Sequence, residues 1–212
     1  MKQSSRLVAF FVWGILLAVI VVIVGTFIRG RFRTDEKPLP VYLPLNDFSL
    51  TNQLGETVSL STLRGQIWIA DVIFTRCPLQ CIRMTKRMRQ LQDSSSEYKN
   101  VRFVSVTADP QFDTPLVLSN YANAYGAAQS RWSFLTGPKS EINRLVVEGL
   151  KLVAYEKKPE ERAVPNDLFL HSTKFVLVDG EGNIRGWFDG EKDTTKGEIL
   201  RALKNLSYEK KL

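Results

Sequence analysis

Hydrophobic positions follow two different patterns along the chain. Residues 7–28 are an uninterrupted run of 22 uncharged, mostly aliphatic residues between Arg6 and Arg29. At 1.5 Å per residue a helix of that length reaches about 33 Å, enough to cross the hydrocarbon core of a bilayer. A cleaved signal peptide would have a shorter apolar region followed by an A-x-A-like site. Here the run ends Gly25-Thr26-Phe27-Ile28-Arg29, without such a site. The pattern predicts one transmembrane helix that is not removed, preceded by the short segment 1–6. Pro38, Pro40 and Pro44 make residues 29–45 an expected extended linker.

From residue 46 the pattern alternates between strand and helix. Residues 47–51 and 57–60 read as a hairpin around Leu54-Gly55. Residues 67–74 are nearly all apolar, with Asp71 the one acid, as in a central strand buried on both faces. Residues 78–92 are rich in helix formers and carry Met84, Met88 and Leu91 on one face. Residues 101–107 form a β-branched second central strand, and Trp132 and Phe134 alternate as core strand residues. Asp113-Thr114-Pro115 reads most simply as a helix start, with Asp113 as N-cap and the helix ending near Tyr125. A further helix is expected over 138–150. Strands at 174–178 and 184–188 flank the turn Asp179-Gly180-Glu181-Gly182-Asn183, and an amphipathic helix spans 193–206. This order predicts an α/β fold, a thioredoxin-like domain over 46–206 with a central mixed sheet flanked by helices. Residues 207–212 are left as a C-terminal tail.

Charge changes the picture only near the anchor. The net charge is +7. Lys2, Arg6, Arg29, Arg31 and Arg33 supply +5 of it in the first 33 residues, which hold no acid. Residues 34–212 carry 24 Lys and Arg against 22 Asp and Glu, so no basic nucleic-acid-binding face is expected. Lys2 and Arg6 precede the span, whereas Arg29, Arg31, Arg33 and Lys37 follow it, so the count of cations does not by itself place the N-terminus in the cytoplasm.

The chain has two cysteines and one histidine. A zinc finger, an iron–sulfur ferredoxin and a disulfide-dense scaffold are excluded, because each takes at least four soft ligands from the chain. Cys77 and Cys81 lie in Cys77-Pro78-Leu79-Gln80-Cys81, directly after the buried strand. Pro78 suits a first helical position, which would put Cys77 at a helix N-terminus and Cys81 one turn along on the same side. That setting, with Arg76 and Arg83 nearby, favours a Cys77 thiolate. The two cysteines are spaced either to close a reversible disulfide or to grip one soft metal ion. His171 lies 90 residues after Cys81, in the junction Phe169-Leu170-His171-Ser172-Thr173. If a thioredoxin-like sheet brings that junction to the cysteines, two thiolates and an imidazole make a three-ligand set. It suits Cu(I), and with small changes Cu(II), better than magnesium or calcium, and zinc stays open. Asp71 is expected either to modulate the cysteine site or partner docking, or to form a salt bridge or strand end.

These residues resemble the SCO/SenC family of membrane-anchored copper proteins. The resemblance rests on Asp71 through Cys81, on Asp109-Pro110 with Asp113-Thr114-Pro115, on Tyr121-Ala122, on Trp132 through Gly137, and on His171-Ser172-Thr173 through Asp189-Gly190. It spans roughly residues 45–206. The resemblance implies a thioredoxin fold that holds one copper ion per chain at Cys77, Cys81 and His171. It also implies help in building the dinuclear copper (CuA) centre of cytochrome c oxidase, so the copper-bearing oxidase subunit is the expected partner. Other copper chaperones and thioredoxin-like reductants are further candidate partners. The family carries its soluble domain on the outer, periplasmic side of the inner membrane, and that placement is adopted here against the charge count. Members commonly have Pro after the second cysteine, where this chain has Ile82. Two functions remain open: a metallochaperone, and a thiol–disulfide oxidoreductase in which Cys77 attacks and Cys81 resolves, reducing the oxidase copper-site cysteines or acting in redox signalling. A peroxiredoxin-type peroxidase is disfavoured, because Thr75-Arg76-Cys77 lacks the Thr/Ser-x-x-Cys spacing.

Overall fold

The structure is a computed structural model that describes residues 2–32, 38–78 and 80–209. It divides into two units, residues 1–37 and residues 38–212. The first contains α1 (Lys2–Phe32), whose side chains are described over residues 12–27 and are largely exposed. The expected transmembrane span 7–28 therefore lies partly outside the described side chains. Among the described residues no helix is long and apolar enough to cross a membrane.

The second unit runs β1 (Leu43–Pro44), β2 (Ser49–Thr51), β3 (Thr57–Ser59), α2 (Leu60–Leu63), β4 (Ile67–Ile73), α3 (Gln80–Ser94), β5 (Val101–Thr107), α4 (Pro115–Ala124), β6 (Trp132–Leu135), α5 (Lys139–Asn143), β7 (Ala154–Glu156), β8 (Phe169–His171), β9 (Lys174–Val178), β10 (Asn183–Asp189) and α6 (Thr195–Glu209). Six strands form one mixed sheet in the order β1-β10-β9-β4-β5-β6. β4, β5 and β6 are parallel, and β9 joins β4 antiparallel. All seven residues of β4 are buried, as a run that is apolar but for Asp71 predicts for a strand covered on both faces. The cross-strand register Asp71↔Ser105↔Phe134 puts these three residues on one face. α4 covers that face through Tyr121, which packs on Phe134 at 5.9 Å and shares a 2.8 Å hydrogen bond with Thr85 of α3. Trp68 points to the opposite face, where Phe48 packs on it at 6.5 Å. This is a thioredoxin-like α/β fold.

Several elements depart from expectation. Residues 38–45, expected within the linker, belong to the second unit, with Leu43–Pro44 as an edge strand on β10. Arg185 holds them there. Its guanidinium donates to the carbonyls of Pro40 (3.1 Å) and Leu39 (2.6 Å) and pairs with Asp179 and Glu209. The helix expected over 138–150 is one turn of α-helix continued by a π-helical stretch, Arg144–Gly149. α6 runs on to Glu209, into the expected tail, whose residues 210–212 lie outside the described residues. The N-cap of α4 is Thr114, not Asp113, because Asp113 is fully buried and engaged elsewhere. Edge strand β6 is closed off by Gln53, whose side-chain amide donates to the Trp132 carbonyl (2.9 Å) and accepts from the Phe134 amide (2.8 Å). A side chain thus replaces the missing neighbour strand and blunts the edge against foreign pairing.

Candidate metal and thiol site

The buried strand β4 ends at Ile73, and the chain turns so that the Cys77 amide donates to the Phe74 carbonyl at 3.2 Å. Pro78 is not the first helical residue as expected: α3 begins at Gln80, and Leu79 lies outside the described residues. The Cys77 sulfur accepts the Cys81 amide at 3.3 Å and takes up a donor that the first helical turn leaves unpaired. Cys81 is still in the first turn of α3, with its side chain inward. Its sulfur accepts the Phe74 amide at 3.4 Å.

His171 arrives from a hairpin the sequence did not reveal. β7 and β8 pair antiparallel with Ala154 opposite His171, and Ser172 closes the end through hydrogen bonds of 2.8–2.9 Å with Val153. The imidazole Nε2 lies 3.2 Å from the Cys81 sulfur, and Nδ1 lies 3.2 Å from the Ser172 carbonyl. A carbonyl only accepts, so this contact assigns the proton to Nδ1 and leaves the Nε2 lone pair facing the sulfur. Phe74 meets the ring edge-on at 5.6 Å and packs on Phe169 at 5.2 Å. Ligand atoms of Cys77, Cys81 and His171 all lie within 4.8 Å of one another, no disulfide joins the two cysteines, and all three residues are buried. Burial drives the Cys81 thiol far above its ordinary value, and the neighbouring Cys77 adds to the shift. The donor set, two sulfurs and an imidazole in one buried cluster, fits a soft monovalent metal ion.

Asp71 sits on β4 behind this cluster and is fully buried. The salt-bridge alternative is not what the structure contains, because no cation pairs with it among the described residues. Ser105 Oγ donates to Oδ1 at 2.6 Å, while Oδ2 has no partner, and Trp132 Nε1 donates in turn to Ser105 Oγ at 3.0 Å. Burial raises the Asp71 carboxyl to about 7, against the opposing effects of the Ser105 hydrogen bond and the nearby His171.

Asp109, Phe112 and Asp113, from the segment after β5, brace the cysteine turn, and sequence reasoning assigned none of the three to it. Asp113 accepts from the Thr75 amide (3.1 Å), from the Thr75 hydroxyl and from the Thr107 hydroxyl. Arg76 pairs with Asp109 at 2.6 Å, and its guanidinium lies over Phe112 at 4.2 Å. The C-terminal ends of parallel neighbours β4 and β5 emerge side by side, so the loop after one braces the loop after the other. That adjacency was the available signal, since loops beyond the carboxyl ends of parallel strands are where α/β sheets assemble sites.

A family model described as SCO1/SenC matches residues 42–207. The chain is 34% identical over 170 residues to the SCO1 protein homolog of Bacillus subtilis (strain 168), covering 79% of this chain and 85% of the relative. It is 30% identical over 151 residues to a putative copper-binding protein of Stutzerimonas stutzeri, covering 70% of each. The solved structure of BsSco, described as a Sco-family cytochrome c oxidase assembly protein with a disulfide switch, superposes with a TM-score of 0.68 at 33% identity, covering 81% of this chain and 96% of that one.

Proposed function

The chain belongs to the SCO1/SenC family, and from that premise we propose that it is a membrane-anchored copper carrier that loads the dinuclear copper centre of cytochrome c oxidase. The observation that carries this reading is the convergence of the only two cysteines and the only histidine into one buried cluster. Copper is the cargo, one ion per chain, and Cys77, Cys81 and His171 hold it. Two thiolates and an imidazole suit Cu(I), and three ligands leave room for an incoming acceptor thiolate to bind before a resident ligand leaves. The copper-binding description of the Stutzerimonas relative and the oxidase-assembly description of BsSco support the metal and the destination. Asp71 acts from behind the cluster as an electrostatic modulator.

Residues 7–28 are proposed to anchor the protein as a single-pass span, with the domain from residue 38 on the extracytoplasmic side. The uncharged run and the exposed apolar side chains over 12–27 of α1 support the span, and the side follows from the family resemblance, against the count of cations. Copper titration of the reduced protein tests the site: wild type takes up one Cu(I) per chain, and His171→Ala weakens binding sharply. Unchanged affinity in that variant removes His171 from the site. Oxidase lacking its dinuclear copper in cells without this chain, restored by wild type but not by Cys81→Ser, tests the destination.

A second reading, thiol–disulfide exchange, is favoured by one contact. The Cys81 amide donates to the Cys77 sulfur at 3.3 Å, an interaction that stabilises a thiolate there. A reversible two-electron couple in a redox titration, with Cys81→Ser trapping a mixed disulfide, supports that role. A bridge too stable for physiological reductants excludes it.

A further inference from the structure

We propose that the cleft between α3, the helix that carries Cys81, and α6 is a docking surface for an acidic segment of the protein that receives the metal. The cleft has a volume of about 400 Å³; Arg83, Lys86, Arg87 and Lys196 line it, over an apolar floor that includes Leu91 and Phe175. Asp193 also lines it and pairs with Arg87 at 2.9 Å, and Arg83 meets Glu191 at 3.3 Å. Lys86 and Lys196 are exposed and have no acidic partner among the described residues.

Arg83 and Arg87 tie α3 to the segment before α6 through Glu191 and Asp193, whereas Lys86 and Lys196 make no such pair among the described residues. α3 carries Arg83, Lys86, Arg87 and Arg89 against a single acid, Asp93, and has no acid in its first turn. Arg83, in the first turn, opposes the macrodipole. Arg83, Lys86 and Arg87 also repel one another at three- and four-residue spacings. Composition does not force the cluster either, because residues 34–212 are nearly balanced in charge. The two lysines that the fold leaves without an acid give the cleft a surplus of positive charge that an anion from outside can meet.

Position favours a protein partner. Arg83 is two residues after Cys81, and Glu191, its ion-pair partner, follows Gly190, whose amide donates at 2.7 Å to the carbonyl of Thr173, two residues after His171. One rim of the cleft is thus tied to both halves of the site. The sulfurs are almost closed off, with Cys77 8% and Cys81 1% exposed. An acceptor must therefore arrive correctly oriented, and complementary charge supplies orientation and encounter rate. Once docked, two acceptor thiolates form Cu–S bonds as the bonds to Cys77, Cys81 and His171 break. The acceptor's two thiol protons pass to Cys77 and Cys81, and copper remains Cu(I).

The consequence for transfer rests on the copper-carrier reading; the docking itself does not, and the experiment separates them. Full-length protein in neutral detergent, loaded with Cu(I), is mixed with two peptides sharing one Cys-x-x-x-Cys core, one flanked by glutamates and the other by glutamines. The acidic acceptor takes copper about tenfold faster at low salt. The advantage disappears at about 0.5 M salt and in Lys86→Glu/Lys196→Glu, whose copper stoichiometry and affinity stay at the wild-type value. Equal rates at low salt, or an advantage that survives the double variant, overturn the proposal. A cysteine-free acidic peptide added to the metal-free protein reads docking alone. Amide shifts confined to residues 83–90 and 192–196 support it, and shifts elsewhere or none overturn it. Tighter binding of inorganic pyrophosphate than of the peptide at these residues also overturns it, in favour of a phosphate site. Failure of the wild type to load copper counts against copper carriage only.

Discussion

Replacing Asp71 with asparagine should make the domain more stable at alkaline pH while leaving it unchanged or slightly weaker in mild acid. The carboxyl is fully buried in the middle of β4, with one oxygen on Ser105 and the other without a partner. Burial raises it from 3.8 to about 7, so between those values the folded state keeps a proton that the unfolded chain has lost. Stability contributed by this protonation is complete below pH 3.8, falls as pH rises toward 7, and is gone above 7. A shift of roughly three units corresponds to about 4 kcal/mol at most. Asparagine keeps an acceptor for Ser105 but buries an unpaired amide, at a cost of about 1–3 kcal/mol. At pH 8 the net gain for Asp71→Asn is about 1–3 kcal/mol; at pH 5, where wild type has lost only about 1.6 kcal/mol of this contribution, the difference shrinks to between about +0.6 and −1.4 kcal/mol. Urea unfolding of metal-free, reduced residues 38–212 from pH 5 to 9, followed by fluorescence of the buried Trp68 and Trp132, measures this directly. A wild-type stability that is flat across this range, or a variant equally destabilised at pH 5 and pH 8, would refute the reasoning.

Three other outcomes follow from the same geometry. Asp113→Ala leaves the Thr75 and Thr107 donors without their acceptor and should cost about 2–4 kcal/mol in thermal unfolding; it should also weaken Cu(I) binding by slackening the turn before Cys77, although Asp113 touches neither sulfur. In Gly190→Ala the new methyl meets the Met84 sulfur and the Thr173 carbonyl oxygen, the latter at 2.5 Å; backbone cannot yield cheaply, so chemical denaturation should show a loss of about 1–3 kcal/mol. Arg185→Met strands Asp179 and Glu209 and frees the Leu39 and Pro40 carbonyls, so limited proteolysis should cut within residues 38–45 faster than in wild type, with about 3 kcal/mol lost.

How much was legible in the chain differs by element. The seven residues of β4 were readable because burial on both faces writes a continuous apolar run, and the β9–β10 hairpin because Asp179 to Asn183 carries its own turn chemistry. The β7–β8 hairpin was missed: each strand has three residues, too few for alternation to show, and its partners are separated by a long irregular loop. Pro78 signals a first helical position, but it lies outside α3, which is described from Gln80.

The sequence by itself determined which atoms are available for chemistry. Only three strong soft or borderline ligands exist in the chain, and two of them are tied by a four-residue spacing that places them within reach of each other in any fold with a helix there. The tertiary structure alone decided that His171 joins them, that Asp113 braces the turn before Cys77, and that Asp71 finds Ser105 rather than a cation. The Asp71–Ser105 contact depends on the pairing of β4 with β5, and the other two on packing that brings together segments 38 and 90 residues apart. A local pattern encodes the period and burial of one element, but the partner of a residue across a sheet is set by register, which only the assembled sheet possesses.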